Sequence, residues 1–374
     1  MQVVRSNKYF LAIILTGSTF FASTVNAQVK RDTRPAEQVF KNVTAMKGIP
    51  ADEFMTTMGF LSASLGISCV NCHGEASAGN WPRYADENDM KRKTRGMIAM
   101  VNAMNKSFFG GQRRLTCYTC HRGSVDPEMT PDLTKFYSTL VYREPDKLMP
   151  PFPNSPEPGA VWDRFLNAIG GTANLSKLTS VIAKGTFQTY GVPKKFQMEV
   201  YAQAPMSRAI VVHNVAGGDV QDVTDGKEAW VKSHDILTPL PIMDRTGGET
   251  NITKAGAALM FPAQVKTLLT QWRVAPPATL NDIDYTVVQG TLDGKIPFNF
   301  YFNDETGLLD RVVSFADSVI GYGATQVDYA DYRTVGNIKV PHKIILTWLD
   351  NKAILELTEL QPNAKIDPKV FAHP

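Results

Sequence analysis

Four cysteines stand in this chain of 374 residues, and both pairs run directly into a histidine: Cys69-Val70-Asn71-Cys72-His73 and Cys117-Tyr118-Thr119-Cys120-His121. C-x-x-C-H is the pattern at which haem is attached covalently, two thiols forming thioethers and the adjacent imidazole ligating the iron. No cysteine remains for a disulfide. A zinc site of four cysteine thiolates would use the same pairs, but 44 residues separate Cys72 from Cys117, far more than a compact zinc ribbon uses. Histidine is rare as well, at 6 in the chain, so its place after both pairs is not coincidence. The expected cofactors are two covalently bound haem c groups. Cys69, Cys72, Cys117 and Cys120 would bind them, with His73 and His121 as iron ligands.

An electron-carrying haem needs a second axial ligand, and His with Met is the pairing that raises the reduction potential. The other histidines, His213, His234, His342 and His373, all lie beyond residue 200. Methionines are plentiful nearer the motifs: Met46, Met55, Met58, Met90, Met97, Met100, Met104 and Met129. A Met on a helix face is more often core filling than a ligand. Met58 stands out because it lies on an apolar helix face 11 residues before Cys69. For the second haem Met97, Met100 and Met104 compete, and spacing alone does not choose among them.

Helices must present these groups. Phe54, Met58, Leu61 and Leu65 recur at helical spacing over 51–65, between Pro50 and Gly66. A second helix is predicted from about 87 to 106, with Met90, Met97, Val101 and Met104 on one face. The region is thus an internal repeat of Met-bearing helix, loop and haem motif. Arg83, Arg113, Arg114 and Arg122 are candidate partners for haem propionates, Arg122 most of all because it follows His121.

Three stretches carry a family likeness: Met-Gly-Phe-Leu-Ser-Ala-Ser-Leu-Gly-Ile-Ser-Cys-Val-Asn-Cys-His (58–73), Arg-Gly-Met-Ile-Ala-Met-Val-Asn-Ala-Met-Asn (95–105) and Leu-Thr-Cys-Tyr-Thr-Cys-His-Arg-Gly (115–123). Residues from about 36 to 123 resemble the cytochrome c subunit of photosynthetic reaction centres. In that family a Met-ligated haem takes its Met from the helix preceding its own motif. The resemblance therefore implies Met58 for the haem at Cys69 and Cys72, and Met97 for the haem at Cys117 and Cys120. The chain departs from the family in having one haem pair where the full subunit has two. It also lacks the lipid-anchor Cys common there, and more than half of it is a different C-terminal region. A photosynthetic role does not follow.

Residues 1–27 have the make-up of a secretory signal: Arg5 and Lys8, an apolar stretch from Tyr9 to Phe21, and the small-x-small site Val25-Asn26-Ala27 before Gln28. Export agrees with covalent haem, and a periplasmic location is expected. Loss of Arg5 and Lys8 leaves 37 Lys and Arg against 36 Asp and Glu, a balance with no footprint for nucleic acid. The expected organisation is a mainly α dihaem cytochrome c domain over 28–145, a proline-rich linker over 146–159, and an α+β antiparallel sheet domain with helices over 160–374. Short helices are expected at about 160–169 and 173–183, and a longer one at 253–272. Strands are expected at Phe196–Ala202, Ala209–His213, Tyr285–Thr291, Pro297–Phe302, Leu309–Ala316, Gln326–Arg333, Ile338–Trp348 and Ala353–Leu360, with turns at Asp225-Gly226, Asp293-Gly294 and Asp350-Asn351.

Phe165-Leu-Asn-Ala-Ile-Gly-Gly, Lys184-Gly-Thr-Phe, Tyr329-Ala-Asp-Tyr-Arg and Val340–Trp348 give this last region a weaker likeness. It resembles the lipoprotein-carrier and lipoprotein-sorting fold, a half-barrel whose helices plug a curved sheet. That likeness implies an apolar cavity for a lipid and peripheral contact with the envelope. The function expected is electron transfer between redox partner proteins, a carrier more than an enzyme. The rivals are a dihaem enzyme or gas sensor with one open iron, and a haem-linked protein that binds lipid or quinone.

Overall fold

The computed structural model describes residues 34–77, 80–131, 144–190, 192–233, 241–292 and 296–374. The expected signal segment and the Asp293-Gly294 turn lie outside them. Among the described residues the N-terminal part holds the α-helices α1 (Ala36–Val39), α2 (Ala51–Leu65), α3 (Cys69–His73), α4 (Asp89–Phe109) and α5 (Cys117–His121). The helix predicted over 51–65 has those bounds. Pro50 precedes it, and Gly66 ends it in the left-handed region at φ 64°. The helix expected at about 87–106 begins two residues later, at Asp89, and ends three later, at Phe109. Its start is fixed by the Asn88 side chain, which accepts from the Lys91 N–H at 2.9 Å. Its end is fixed by Gly110 at φ 59°.

Beyond them come α6 (Pro158–Ala168), α7 (Thr172–Leu175), α8 (Gly247–Ala258) and α9 (Val265–Leu268), set around one antiparallel sheet. Its first strands are β1 (Ser180–Thr189), β2 (Phe196–Gln203), β3 (Ser207–Val215), β4 (Gly218–Thr224), β5 (Ala229–Lys232) and β6 (Ile242–Asp244). Then follow β7 (Leu269–Val274), β8 (Ala278–Leu280), β9 (Ile283–Leu292), β10 (Ile296–Asn303), β11 (Leu309–Ser318), β12 (Gly321–Val335), β13 (Ile338–Trp348) and β14 (Asn351–Pro362). Among the described residues the order is 6-5-4-3-2-1-14-13-12-11-10-9-7, with β8 on β9. Two meanders thus join where β1 takes β14 as its second neighbour: Ala183 faces Val200 on one side and Leu360 on the other.

Two expected helices are shorter than their apolar pattern implied. Residues 180–183 belong to β1, because Val181 and Ala183 face the core while Lys184 faces out, a two-residue period. The helix expected over 253–272 stops at Ala258, since Pro262 cannot continue it, and the chain enters β7 at Leu269. The turn expected at Asp350-Asn351 falls one residue earlier, at Leu349-Asp350, and Asn351 opens β14.

The main core lies between α6 and the sheet. Trp162 is fully buried among Phe165, Trp272, Phe300 and Phe302, ring centroids 5.4–5.6 Å away, and its Nε1–H donates to the Pro262 carbonyl at 3.1 Å. The hydrogen bond removes the penalty of burying the indole nitrogen. The proline-rich 146–159 segment is fastened to the sheet. The Met149 N–H donates to Gln289 Oε1 at 2.7 Å, and the Phe152 N–H to the Val274 carbonyl at 2.9 Å.

The helical part and the sheet share a further core. Phe60 and Leu61 of α2 pack with Cys117 and Ile320, and a Cβ on Gly321 would lie 2.3 Å from Phe60 Cζ. Arg113 adds an ion pair to Asp317 and lies over the Tyr322 ring, 5.2 Å from its centroid. On its other side α2 helps to wall a cavity of about 580 Å³ against α8 and the inner face of the sheet.

Candidate functional site

Both C-x-x-C-H motifs form a single helical turn entered in the same way. At α3 the Ser68 N–H donates to Asn71 Oδ1 at 2.8 Å; at α5 the Thr116 N–H donates to Thr119 Oγ1 at 3.0 Å. These capping boxes fix a helix too short to be stable by propensity alone. A helical turn also brings the first Cys, the second Cys and the His onto neighbouring positions, as a thioether pair with an axial imidazole requires.

The loop into each motif is clamped by a side chain of the preceding helix. Ser62 Oγ donates to the Ile67 carbonyl before α3. Before α5 the Asn105 amide donates to the Leu115 carbonyl at 2.8 Å and accepts from the Arg114 and Leu115 N–H groups at 3.0 and 2.9 Å. Asn105 is buried, and sequence reasoning missed it. The two halves are also cross-tied. The Gly123 N–H donates to the Ser64 carbonyl at 2.9 Å, and Asn88 Nδ2 donates to the Cys72 carbonyl at 2.8 Å. Gly66 permits the first tie, for a Cβ there would lie 2.1 Å from the Gly123 oxygen.

The two motif histidines are held alike. His73 Nδ1 lies 2.9 Å from the Tyr84 carbonyl and His121 Nδ1 lies 3.0 Å from the Ser124 carbonyl. A carbonyl can only accept, so Nδ1 carries a proton, and in a neutral ring so oriented Nε2 holds the lone pair. That tautomer, oriented by a backbone carbonyl, is the one a metal-bound histidine needs. Burial, which favours the neutral ring, lowers the proton affinity of His73 below its ordinary value, against the opposing Tyr84 bond. Its ring also rests on Tyr84, centroids 4.6 Å apart, and Tyr84 on Trp81 at 4.5 Å. Burial raises the thiols of Cys69, Cys72 and Cys117, Asp350 adding to the effect at Cys69 and the first motif's own Cys69 at Cys72.

Met97, Met100 and Met104 lie on α4 with 41%, 46% and 37% of their surface exposed, an apolar face of the kind that a porphyrin edge covers. Met58 is half-buried and packs beside the cluster of Phe60, Leu61, Cys117 and Ile320. It thus belongs to the core that also takes in the second motif's first cysteine, and lies on the helix leading to the first motif. The residues present fit covalent haem: paired thiols on a helical turn, an oriented Nε2, and apolar flanks. Of the arginines singled out for propionates, Arg113 is engaged by Asp317 and Arg83 by Asp86 at 3.1 Å, while Arg114 and Arg122 are exposed. Among the described residues no three His, Cys, Asp or Glu side chains gather as a metal cluster. No described helix is long and apolar enough to cross a membrane.

Comparison with known proteins agrees with the motifs. Residues 12–134 match the family described as photosynthetic reaction centre cytochrome C subunit. The subunit from Thermochromatium tepidum is 33% identical over 97 residues, which is 25% of this chain and 23% of that one. The subunit from Roseobacter denitrificans is 30% identical over 100 residues, 25% of this chain and 26% of that one. The chain thus spans about a quarter of the length of these relatives, and the likeness belongs to its N-terminal part. Among solved structures, a LolA superfamily protein from Nitrosomonas europaea overlaps 59% of this chain and 99% of its own, at 12% identity and a TM-score of 0.41. A DUF1329 family protein from Desulfovibrio piger overlaps 59% and 98%, at 8% identity and a TM-score of 0.40.

Proposed function

We propose that the chain is an exported dihaem c-type cytochrome that passes electrons between partner proteins in the periplasm. The observation that carries this reading is the matched pair of imidazoles, each with Nδ1 committed to a backbone carbonyl and Nε2 available. Covalently bound haem c supplies a one-electron iron couple at each motif. Cys69 and Cys72 anchor one group, and Cys117 and Cys120 the other. His73 and His121 are the proximal ligands. Met58 serves the haem at Cys69 and Cys72, and Met97 the haem at Cys117 and Cys120. A methionine thioether held to the iron would favour Fe(II) and close it to small molecules. Arg122 is exposed beside His121 and would be the arginine to meet a propionate.

The absorption spectrum of the reduced, purified protein before and after carbon monoxide tests this reading. Two haems per chain by pyridine haemochrome and an unchanged Soret band support it. A shifted band means an open iron, and the enzyme or sensor reading replaces it. Met97→Ala is expected to lower the second haem's potential, within the ~0.8 V over which axial ligands act, and to create a carbon monoxide site. If Met100→Ala or Met104→Ala does so instead, the assignment to Met97 is wrong.

A further inference from the structure

The helix that carries Met58 is gripped by the sheet part of the chain, and the grip begins six residues before the methionine. We propose that Asp52 is a positioning residue for the sixth ligand of the first haem: it pins α2 to α8 and so fixes where Met58 stands. The inference rests on the assignment of Met58 to the haem at Cys69 and Cys72. Asp52 is only 5% exposed, and its Oδ2 accepts from the Thr246 N–H and, at 2.6 Å, from Thr246 Oγ1.

Thr246 is the N-cap of α8 and makes no side-chain cap bond within its own helix. Asp52 therefore serves two helix N-termini at once, standing in the first turn of α2 and against the cap of α8, where helix dipoles favour a carboxylate. The start of α8 is itself braced. Asp222 accepts from Arg208 Nη2 at 3.0 Å and from Arg245 Nη2 at 2.7 Å, and Arg245 Nη1 reaches Glu249 at 3.3 Å. Thr56 Oγ1, one turn along α2 from Asp52, donates to the same Glu249 carboxylate at 3.4 Å. Asp52, Arg208, Asp222, Arg245 and Glu249 thus form a polar end to the cavity wall, and that end joins α2 to α8.

The same stripe of α2 continues toward the motif. Residues 52, 56, 59 and 60 recur at helical spacing. A Cβ on Gly59 would stand 3.5 Å from the Asp350 side chain, and Phe60 closes on Gly321. Met58 lies off this stripe, so the sheet grips the helix without covering the thioether. An axial sulfur has to be held within about 0.5 Å of its productive place, and rigid support of its helix is what achieves that. Met97 stands on α4, which none of these bonds touches. The second haem is thus an internal control for the first.

The test is a potentiometric titration of the full, haem-loaded protein, with carbon monoxide binding measured on the same samples. Met58→Ala marks which wave belongs to the first haem. Asp52→Ala is expected to move that wave downward and to leave in place the wave that Met97→Ala lowers. The carbon monoxide-reactive fraction of the first haem should rise at least about tenfold, the effect of losing one hydrogen bond to a charged group. The sign separates position from charge, because removing a carboxylate without moving the thioether would raise the potential. Thr246→Val decides the matter if Asp52→Ala does not fold, and should move the same wave downward by less. A first wave that stays or rises in these variants, while Met58→Ala lowers it, overturns the proposal alone. Equal movement of both waves overturns it too, as general loosening. If Met58→Ala itself moves neither wave, the ligand assignment fails first and the proposal falls with it.

Discussion

The helical part and the sheet solve the problem of burial in opposite ways. In the sheet, large side chains close on one another: Trp162, Phe298, Phe300, Tyr301 and Trp230 are all 1% exposed or less. In α4, a helix of 21 residues, only Ile98 and Asn105 are buried, and three methionines lie open on one face. Order there comes from polar clamps on loops, capping boxes and cross-ties, not from an apolar centre of its own. A sequence can thus be stringently specified where it buries little, provided that the specification is of loop geometry around chemical groups. The sheet is specified by volume, the helical part by position.

Four experiments sharpen or break this contrast. Replacing Cys69 and Cys72 together by Ala should remove one of two haems, read by pyridine haemochrome, while the thermal transition of the sheet persists; loss of that transition would erase the distinction. Trp162→Ala should act the other way. Removal of a fully buried indole costs about 3–5 kcal/mol in chemical denaturation, with haem content unchanged.

Gly321→Ala probes the seam. Its methyl would meet the Phe60 ring at 2.3–2.9 Å, and overpacking of this kind costs about 1–3 kcal/mol. Faster hydrogen exchange in 51–65 would accompany it; an unaltered α2 would mean that the seam yields freely.

The smallest effect is a pH dependence at the far end of the sheet. His373 Nε2 lies 2.7 Å from Asp244 Oδ1, and its ring packs on Trp230. Burial alone disfavours the imidazolium, but the Asp244 carboxylate outweighs it and raises the pKa above 6.5. A raised value means that the stabilisation is complete below about pH 6.5 and is lost as pH rises through the folded-state value. For a pair this exposed the effect is below about 1 kcal/mol. Asp244→Asn should flatten it in melts between pH 5 and 8.

The motifs were legible because covalent haem chemistry demands adjacent residue types, and α2 because Pro50 and Gly66 punctuate a clean period. The long strands from β9 to β14 were legible for a similar reason, being β-branched and aromatic. The short strands β4, β5 and β6 were not, since Gly218-Asp219-Val220-Gln221-Asp222 alternates in side-chain direction without alternating in polarity. The clamp at Asn105 was hidden because an Asn inside a helix looks like a solvated position. The polar end of the cavity was illegible in principle: Asp52, Arg208, Asp222, Arg245 and Glu249 are nearly 200 residues apart at the extremes, and only the fold assembles them. Met97, Met100 and Met104 could not be told apart by spacing, since α4 repeats the residue on one face.

The seat of α2 has a consequence in time. Its Phe60 and Leu61 pack at the turn between β11 and β12, residues 309–335, some 250 positions later in synthesis. The sheet that holds this turn is itself bridged by β1 and β14, whose last pairs reach Pro362. An emerging chain therefore exposes both cysteine pairs long before the surface against which their leading helix rests exists. Haem attachment at the motifs would then act on an open, undocked segment, with the tertiary lock closing only once the final strand is delivered.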